Sequence, residues 1–128
     1  MGNRILLLLA DDEPLVEMAM QDGLERGGFA VLPVSTGASA MEALEENFLE
    51  IAGLITDIRL GNGPSGWALA HRARELKASI CVIYITGDSF DDWAANGVPK
   101  SIVLQMPFAD AQLVTAISQL LNEASGNA

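Results

Sequence analysis

The sequence predicts one α/β domain built on a doubly wound parallel sheet, and two observations lead to this prediction. Five short apolar runs rich in Val, Ile and Leu recur along the 128 residues. Each run is continuously apolar, as strands covered on both faces are, rather than alternating between apolar and polar residues. Segments with helical periodicity separate the runs, so we expect right-handed crossovers and a three-layer sandwich with helices on both faces of the sheet.

The elements form a (βα)5 pattern along the chain. The predicted strands cover residues 5–10, 29–34, 51–56, 81–86 and 101–105. The predicted helices cover residues 15–27, the segment that follows Thr36, 66–77, 90–96 and 110–123. Five alternations of strand and helix occupy nearly the whole length, so we expect a single domain over residues 1–128, with 123–128 as a frayed tail.

The first two helices are predicted from their apolar stripes. Met20 and Leu24 recur at helical spacing in the first helix, with glutamates on the opposite side, and Gly27 ends it. In the second helix, Ala40 and Leu44 face inward by the same spacing. Both segments are therefore amphipathic helices with one face toward the sheet.

The remaining helices differ in the strength of their signals. Leu69 and Ala73 form the stripe of the third helix, whereas segment 90–96 is short and weakly patterned. The fifth helix begins at Asp110, an acidic residue at the end where the helix dipole favours one. A strong fifth helix and a weak fourth helix are therefore expected.

The charge balance excludes several functions. Seven Lys and Arg stand against seventeen Asp and Glu, which gives a formal net charge of −10. Such a chain lacks the basic surface that binds nucleic acid or an anionic membrane. No run approaches the roughly 20 apolar residues of a membrane span, and run 5–9 is too short for a signal peptide. We expect a cytoplasmic protein whose single cysteine, Cys81, is buried in a strand.

Carboxylates follow two of the predicted strands. Asp11 and Asp12 come after the first strand, and Asp57 follows the third. In a flavodoxin-like strand order, 2-1-3-4-5, these strands are neighbours, and ligands bind at the carboxyl ends of parallel strands. Three anions in one crevice repel one another unless a cation joins them. Oxygen ligands without His or Cys favour a hard ion such as Mg²⁺, beside which a carboxylate can act as a nucleophile toward phosphorus.

With these carboxylates and four further motifs, the chain resembles the receiver domain of two-component response regulators. The resemblance covers nearly the whole length. The four motifs are D-I-R-L from Asp57, Ser65-Gly66 at the start of the third helix, Thr86-Gly87 after the fourth strand and Pro107-Phe108 after the fifth. Each motif is weak alone, but their order and their positions on the predicted elements make the resemblance specific.

The resemblance implies a role for each residue of the site. Asp57 is expected to be the phospho-acceptor, with the Thr86 hydroxyl donating to a phosphoryl oxygen and Gly87 leaving space for the group. The expected ligands of Mg²⁺, or of Mn²⁺ in its place, are Asp12, Asp57, Asp11 (mostly through water) and the backbone carbonyl of Arg59. Chemistry of this kind consists largely of positioning and charge neutralisation, so a few groups suffice.

Two positions depart from the family pattern. Receivers usually carry a lysine directly before the proline that follows strand five, and this position is Met106. The aromatic residue usually found three residues earlier, which takes part in switching, is Val103. Lys100 cannot replace the missing lysine, because six strand residues at ~3.3 Å each place it roughly 20 Å away. Loss of one donor to a developing charge typically costs about 3 kcal/mol, so slower phosphotransfer is expected.

Arg59 offers one possible compensation for the missing lysine. It lies two residues after Asp57, and its guanidinium suits phosphate oxygens. The competing interpretation is an ordinary solvated arginine in a loop. An Arg59→Ala protein that takes up and holds its phosphoryl group like the parent would contradict the compensation hypothesis.

The resemblance implies a stand-alone response regulator that takes its phosphoryl group from a sensor histidine kinase or a histidine phosphotransfer protein. It would signal to an unknown protein target through the face of helix four, strand five and helix five. From the charge balance, it is not expected to bind nucleic acid or membrane. The sequence leaves a weak homodimer open. It would be no conventional enzyme and would at most catalyse its own phosphorylation. The alternative function is a pseudo-receiver, a binding module whose switching is impaired or independent of phosphorylation because of Met106 and Val103.

Overall fold

One parallel sheet of five strands organises residues 4–88 and 90–126, the part of the chain that the computed structural model describes. The strands are β1 (Leu6–Ala10), β2 (Ala30–Val34), β3 (Ile51–Asp57), β4 (Cys81–Thr86) and β5 (Ile102–Gln105). Their order in the sheet is β2-β1-β3-β4-β5, and every neighbouring pair is parallel. The predicted flavodoxin-like (βα)5 order is therefore confirmed.

Helices connect the strands and follow the last one. They are α1 (Pro14–Arg26), α2 (Gly37–Asn47), α3 (Gly66–Leu76), α4 (Trp93–Asn96) and α5 (Asp110–Ala124). A short 3₁₀ turn over Phe90–Asp92 precedes α4, so the predicted helix over 90–96 is regular only in its second half. None of the four α4 residues is buried, which explains the weak apolar pattern of this segment.

The first two residues of the predicted tail, 123–128, lie in helix α5. Helix α5 continues through Glu123 to Ala124, and the amide of Ser125 donates to the carbonyl of Leu121 at 3.1 Å, which closes the last turn. Residues 127 and 128 of the predicted tail lie outside the described residues. Within the described part of the chain, no helix is long and apolar enough to cross a membrane.

The core has two halves, one on each face of the sheet. Along β1, Leu7 and Leu9 pack with the side chains of α1 and α5, whereas Leu8 and Ala10 pack with those of α2 and α3. All four β1 residues are completely buried. Burial on both faces is the reason that the strand is apolar at every position, as the three-layer prediction requires.

The start of α3 is packed tightly against the end of β3. Ser65 caps the helix by accepting from the amide of Ala68 at 3.2 Å, and the Gly66 amide donates to the Ile58 carbonyl at 2.8 Å. A Cβ at Gly66 would overlap the backbone carbonyl of Asp57. The glycine therefore allows α3 to begin directly beside the last residue of β3, where the candidate site lies.

Candidate functional site

Three carboxylates meet where β1 and β3 end, as the strand order predicts. Asp11 and Asp12 follow β1, and Asp57 is the last residue of β3. One carboxylate oxygen from each residue lies within 4.8 Å of those of the other two. Asp11 is buried, Asp57 is half-buried and Asp12 is exposed, so the cluster opens toward solvent on one side.

Asp11 is the most strongly perturbed acid of the cluster. Its side chain is only 2% exposed, and burial raises its pKa from 3.8 to about 6. Oδ1 accepts from the backbone amide of Glu13 at 2.8 Å, which lowers the pKa, while the charges of Asp57 and Asp12 raise it further. The other oxygen, Oδ2, is buried and has no hydrogen-bond partner among residues 4–88 and 90–126. A buried oxygen without a partner is unfavourable unless a cation or water satisfies it.

Asp57 is held by the backbone of the loop that follows it. Its Oδ1 accepts from the amide of Arg59 at 3.3 Å. Burial raises the pKa of Asp57, and the backbone amides of Arg59 and Ile58 oppose that rise. The charges of Asp12 and Glu13 also raise the pKa, so Asp57 belongs to the same electrostatic cluster as the acids after β1.

The chemistry of these donors fits a hard divalent cation. All three side chains offer carboxylate oxygens, and the orphaned Oδ2 of Asp11 is a ligand atom without another partner in the described residues. A divalent ion would offset the repulsion and the burial that raise the pKa values of Asp11 and Asp57. The three carboxylates are therefore a candidate metal centre, and their division into direct and water-mediated ligands stays a prediction.

Thr86 and Gly87 lie beside this cluster at the end of β4. Asp57 is paired in register with Ile85, so Thr86 stands one residue beyond the Asp57 level on the neighbouring strand. The Thr86 side chain is 2% exposed, and its Oγ1 accepts from the amide of Asp88 at 3.1 Å. The structure thus brings the predicted hydroxyl residue to the same edge as the carboxylates, and its role toward a phosphoryl group stays a prediction.

Met106 extends toward Gly87. Its amide donates to the Thr86 carbonyl at 2.8 Å, and its terminal methyl lies 4.0 Å from the point that a Gly87 Cβ would occupy. The two lysines of the chain are far from this edge, as the sequence predicts. Lys77 donates to the carbonyls of Leu49 and Ile51, at the start of β3.

The position of the usual switch aromatic lies next to another aromatic residue in the sheet. Val103 is partly buried and is paired in register with Tyr84 on β4. Tyr84 is completely buried, its ring contacts Trp67 with centroids 4.6 Å apart, and its hydroxyl accepts from the Val98 amide at 3.1 Å. Sequence reasoning did not single out Tyr84, although its place two residues before Thr86 puts both side chains on the same face of β4.

An ion pair that sequence reasoning missed joins the loops after β3 and β4. A guanidinium nitrogen of Arg59 lies 3.3 Å from a carboxylate oxygen of Asp88. The signal was available in the spacing, because each residue stands two positions after a site residue on adjacent strands, Asp57 and Thr86. The pair fixes the side chain of Arg59 against the loop after β4, and its role in compensating for the missing lysine stays a prediction.

Comparison with known proteins agrees with this geometry. The family model of the response regulator receiver domain matches residues 7–118. The response regulator receiver protein CpdR of Brucella abortus (strain 2308) is 34% identical over 119 residues, which cover 90% of this chain and 95% of CpdR. Sensor kinase CckA of the same organism is 28% identical over 121 residues; the match covers 91% of this chain but 12% of CckA.

A solved structure gives the same result in three dimensions. The crystal structure of a response regulator receiver protein from Sinorhizobium medicae WSM419 superposes with a TM-score of 0.92 and 44% sequence identity. The superposition covers 95% of this chain and 98% of that protein. Since the family model and a relative of nearly equal length both match most of the sequence, the chain belongs to the response regulator receiver domain family of two-component signalling.

Proposed function

We propose that this protein acts as a receiver that accepts a phosphoryl group on Asp57 in a Mg²⁺-dependent reaction. The donor is the phosphohistidine of a sensor histidine kinase or a histidine phosphotransfer protein. The observation that supports the proposal best is the cluster of Asp11, Asp12 and Asp57, whose oxygens approach within 4.8 Å at the carboxyl end of neighbouring strands. A cluster of this kind serves phosphoryl transfer by positioning and charge compensation.

The transfer step is a displacement at phosphorus. A carboxylate oxygen of Asp57 forms the new P–O bond while the P–N bond to the donor imidazole breaks. The electron pair of that bond stays on the imidazole nitrogen, which takes up a proton from water. The backbone amide of Arg59, 3.3 Å from Oδ1 of Asp57, holds the carboxylate in a fixed orientation for the attack.

The residues around Asp57 divide the remaining tasks. Asp11, Asp12, Asp57 and the carbonyl of Arg59 would hold Mg²⁺, or Mn²⁺, whose charge lowers the repulsion between the carboxylates and an incoming phosphoryl group. Thr86 donates its hydroxyl to a phosphoryl oxygen. Gly87 leaves room for the group, since a Cβ there would meet little except the Met106 methyl.

The signal leaves the protein through contacts with a protein target. We place these contacts on the face formed by α4, β5 and α5. Strand β5 lies at the edge of the sheet, its four residues are partly or fully exposed, and none of the four α4 residues is buried. The loosely packed part of this face, α4, can change its conformation at small free-energy cost.

The pseudo-receiver is the less favoured alternative. Its support is the chemistry of two positions, because Met106 cannot donate to a phosphoryl group and Val103 has no ring to reorient. The assembled carboxylates and the adjacent Thr86 argue for the phospho-accepting function, with slower transfer than a lysine would give.

Phosphorylation by a small donor tests the proposal. Incubation with phosphoramidate and Mg²⁺ should add the mass of one phosphoryl group, measured by intact-protein mass spectrometry, and chelation of the metal should prevent the addition. Asp57→Asn should abolish it, because the amide is not a nucleophile toward phosphorus. Asp22→Asn, an equal change at an exposed acid of α1, is the matched control and should react like the parent. A parent protein that gains no mass would favour the pseudo-receiver.

A further inference from the structure

The Arg59–Asp88 ion pair joins the two loops that follow β3 and β4. Asp57 and Ile85 are register partners, and Arg59 and Asp88 stand two and three residues beyond them in the loops that continue β3 and β4. The Arg59 amide contacts Oδ1 of Asp57 at 3.3 Å, whereas its guanidinium contacts Asp88 at 3.3 Å. One residue therefore connects the nucleophile with the next loop.

The ion pair is easily broken. The side chains of Arg59 and Asp88 are 74% and 63% exposed, and ion pairs at such exposure contribute little to stability. Asp88 offers the guanidinium one negative charge, whereas a phosphoryl group carries about two near neutral pH. The planar fork of arginine also matches phosphate oxygens in a bidentate geometry. A phosphoryl group on Asp57 would thus compete strongly for Arg59.

We infer that Arg59 binds the phosphoryl group on Asp57 and that Asp88 holds this arginine in the unmodified protein. The inference rests on the proposed function, since it requires phosphorylation of Asp57. Arg59 supplies the cation that the position of Met106 does not provide. Its departure from Asp88 removes a bridge between the loops after β3 and β4, so the segment that leads into α4 gains freedom when the protein is phosphorylated.

Asp88 is therefore a competitor of the phosphoryl group as well as a loop contact. While the guanidinium is held on Asp88, only a fraction of the molecules present Arg59 to an incoming donor, and the apparent reactivity falls by that fraction. Removal of Arg59 and removal of Asp88 should then have opposite effects on phosphorylation. A merely structural ion pair would give the same effect for both variants, because either change breaks it.

The experiment compares initial rates of phosphorylation by phosphoramidate and Mg²⁺, followed by intact mass. Arg59→Gln should react about tenfold more slowly than the parent, as expected for loss of one donor at an exposed position. Asp88→Asn should react at least about twofold faster, because Arg59 is released. Arg59→Lys keeps the charge without the fork and should fall between Arg59→Gln and the parent.

Arg72→Gln is the matched control, since it removes an arginine that pairs with Glu45 away from the site, and it should react like the parent. Equal rates for Arg59→Gln and the parent would overturn the inference and leave the proposed function intact. Slowing by both Arg59→Gln and Asp88→Asn would also overturn it, in favour of a structural pair. A parent that takes up no phosphoryl group would contradict the proposed function and, with it, the inference.

Discussion

At the scale of single residues, the buried carboxylate of Asp11 links the stability of the protein to pH. Its pKa is about 6 in the folded protein and 3.8 in the unfolded chain, so the folded state binds its proton more tightly. Between these two pH values the folded state keeps a proton that the unfolded state has lost. The free energy of unfolding therefore decreases as the pH rises from 3.8 to about 6, and Asp11 destabilises the metal-free protein at neutral pH.

Asp11→Asn should consequently stabilise the protein when no divalent ion is bound. The amide carries no charge, so the variant avoids the desolvation that raises the pKa of Asp11. We expect an increase of about 1 to 3 kcal/mol in the free energy of unfolding at pH 7, measured by urea denaturation in the presence of a chelator. Asp12→Asn is the control. Because this side chain is exposed, the substitution should change the free energy of unfolding by less than about 0.5 kcal/mol. Equal stabilisation at both positions would show that general charge repulsion, and not burial of Asp11, is responsible.

At the scale of elements, the junction between β3 and α3 fixes the position of Asp57. Gly66→Ala should lower the free energy of unfolding by about 1 to 3 kcal/mol, because the new Cβ overlaps the Asp57 carbonyl and forces the backbone to shift. Gly87→Ala is the matched substitution, since its Cβ would meet the Met106 methyl only at 4.0 Å. Thermal denaturation should show a large decrease in the melting temperature for Gly66→Ala and almost none for Gly87→Ala. Phosphorylation should slow in both, and an unaffected Gly66→Ala protein would contradict the packing argument.

The elements differ in how far the sequence alone could predict them. The strands were predicted to within one residue at each end, because strands buried on both faces must be apolar throughout and end where polar residues begin. The carboxylate cluster followed from the strand order. Helix α4 was predicted less well, since its residues are not buried and leave no apolar stripe. The Arg59–Asp88 pair was missed because it joins two loops 29 residues apart, and the matching spacing of the two residues becomes visible only when both loops are placed on adjacent strands.

At the scale of the whole molecule, the cationic groups are distributed unevenly between the two edges of the sheet. The net charge is −10, and three acids converge at the carboxyl edge. At the amino edge, Lys77 donates to carbonyls at the start of β3, and Arg74 donates to the Ile80 carbonyl just before β4. Lys100 precedes β5 at that same edge. Arg59, by contrast, is a cation in the loops at the carboxyl edge, where it pairs with Asp88.

Met106→Lys should restore a cation at the carboxyl edge without a change elsewhere in the fold. Methionine and lysine have similar unbranched stems, and the Met106 methyl already lies beside Gly87, so an ammonium there would point at the space proposed for the phosphoryl group. We expect phosphorylation by phosphoramidate and Mg²⁺ to accelerate on the order of tenfold. Lys100→Gln removes a lysine from the opposite edge and should leave the rate unchanged. A different result would contradict this argument: Met106→Lys reacts no faster than the parent, and Lys100→Gln slows the reaction. The overall electrostatic field of the molecule would then govern the rate, rather than a cation placed at this edge.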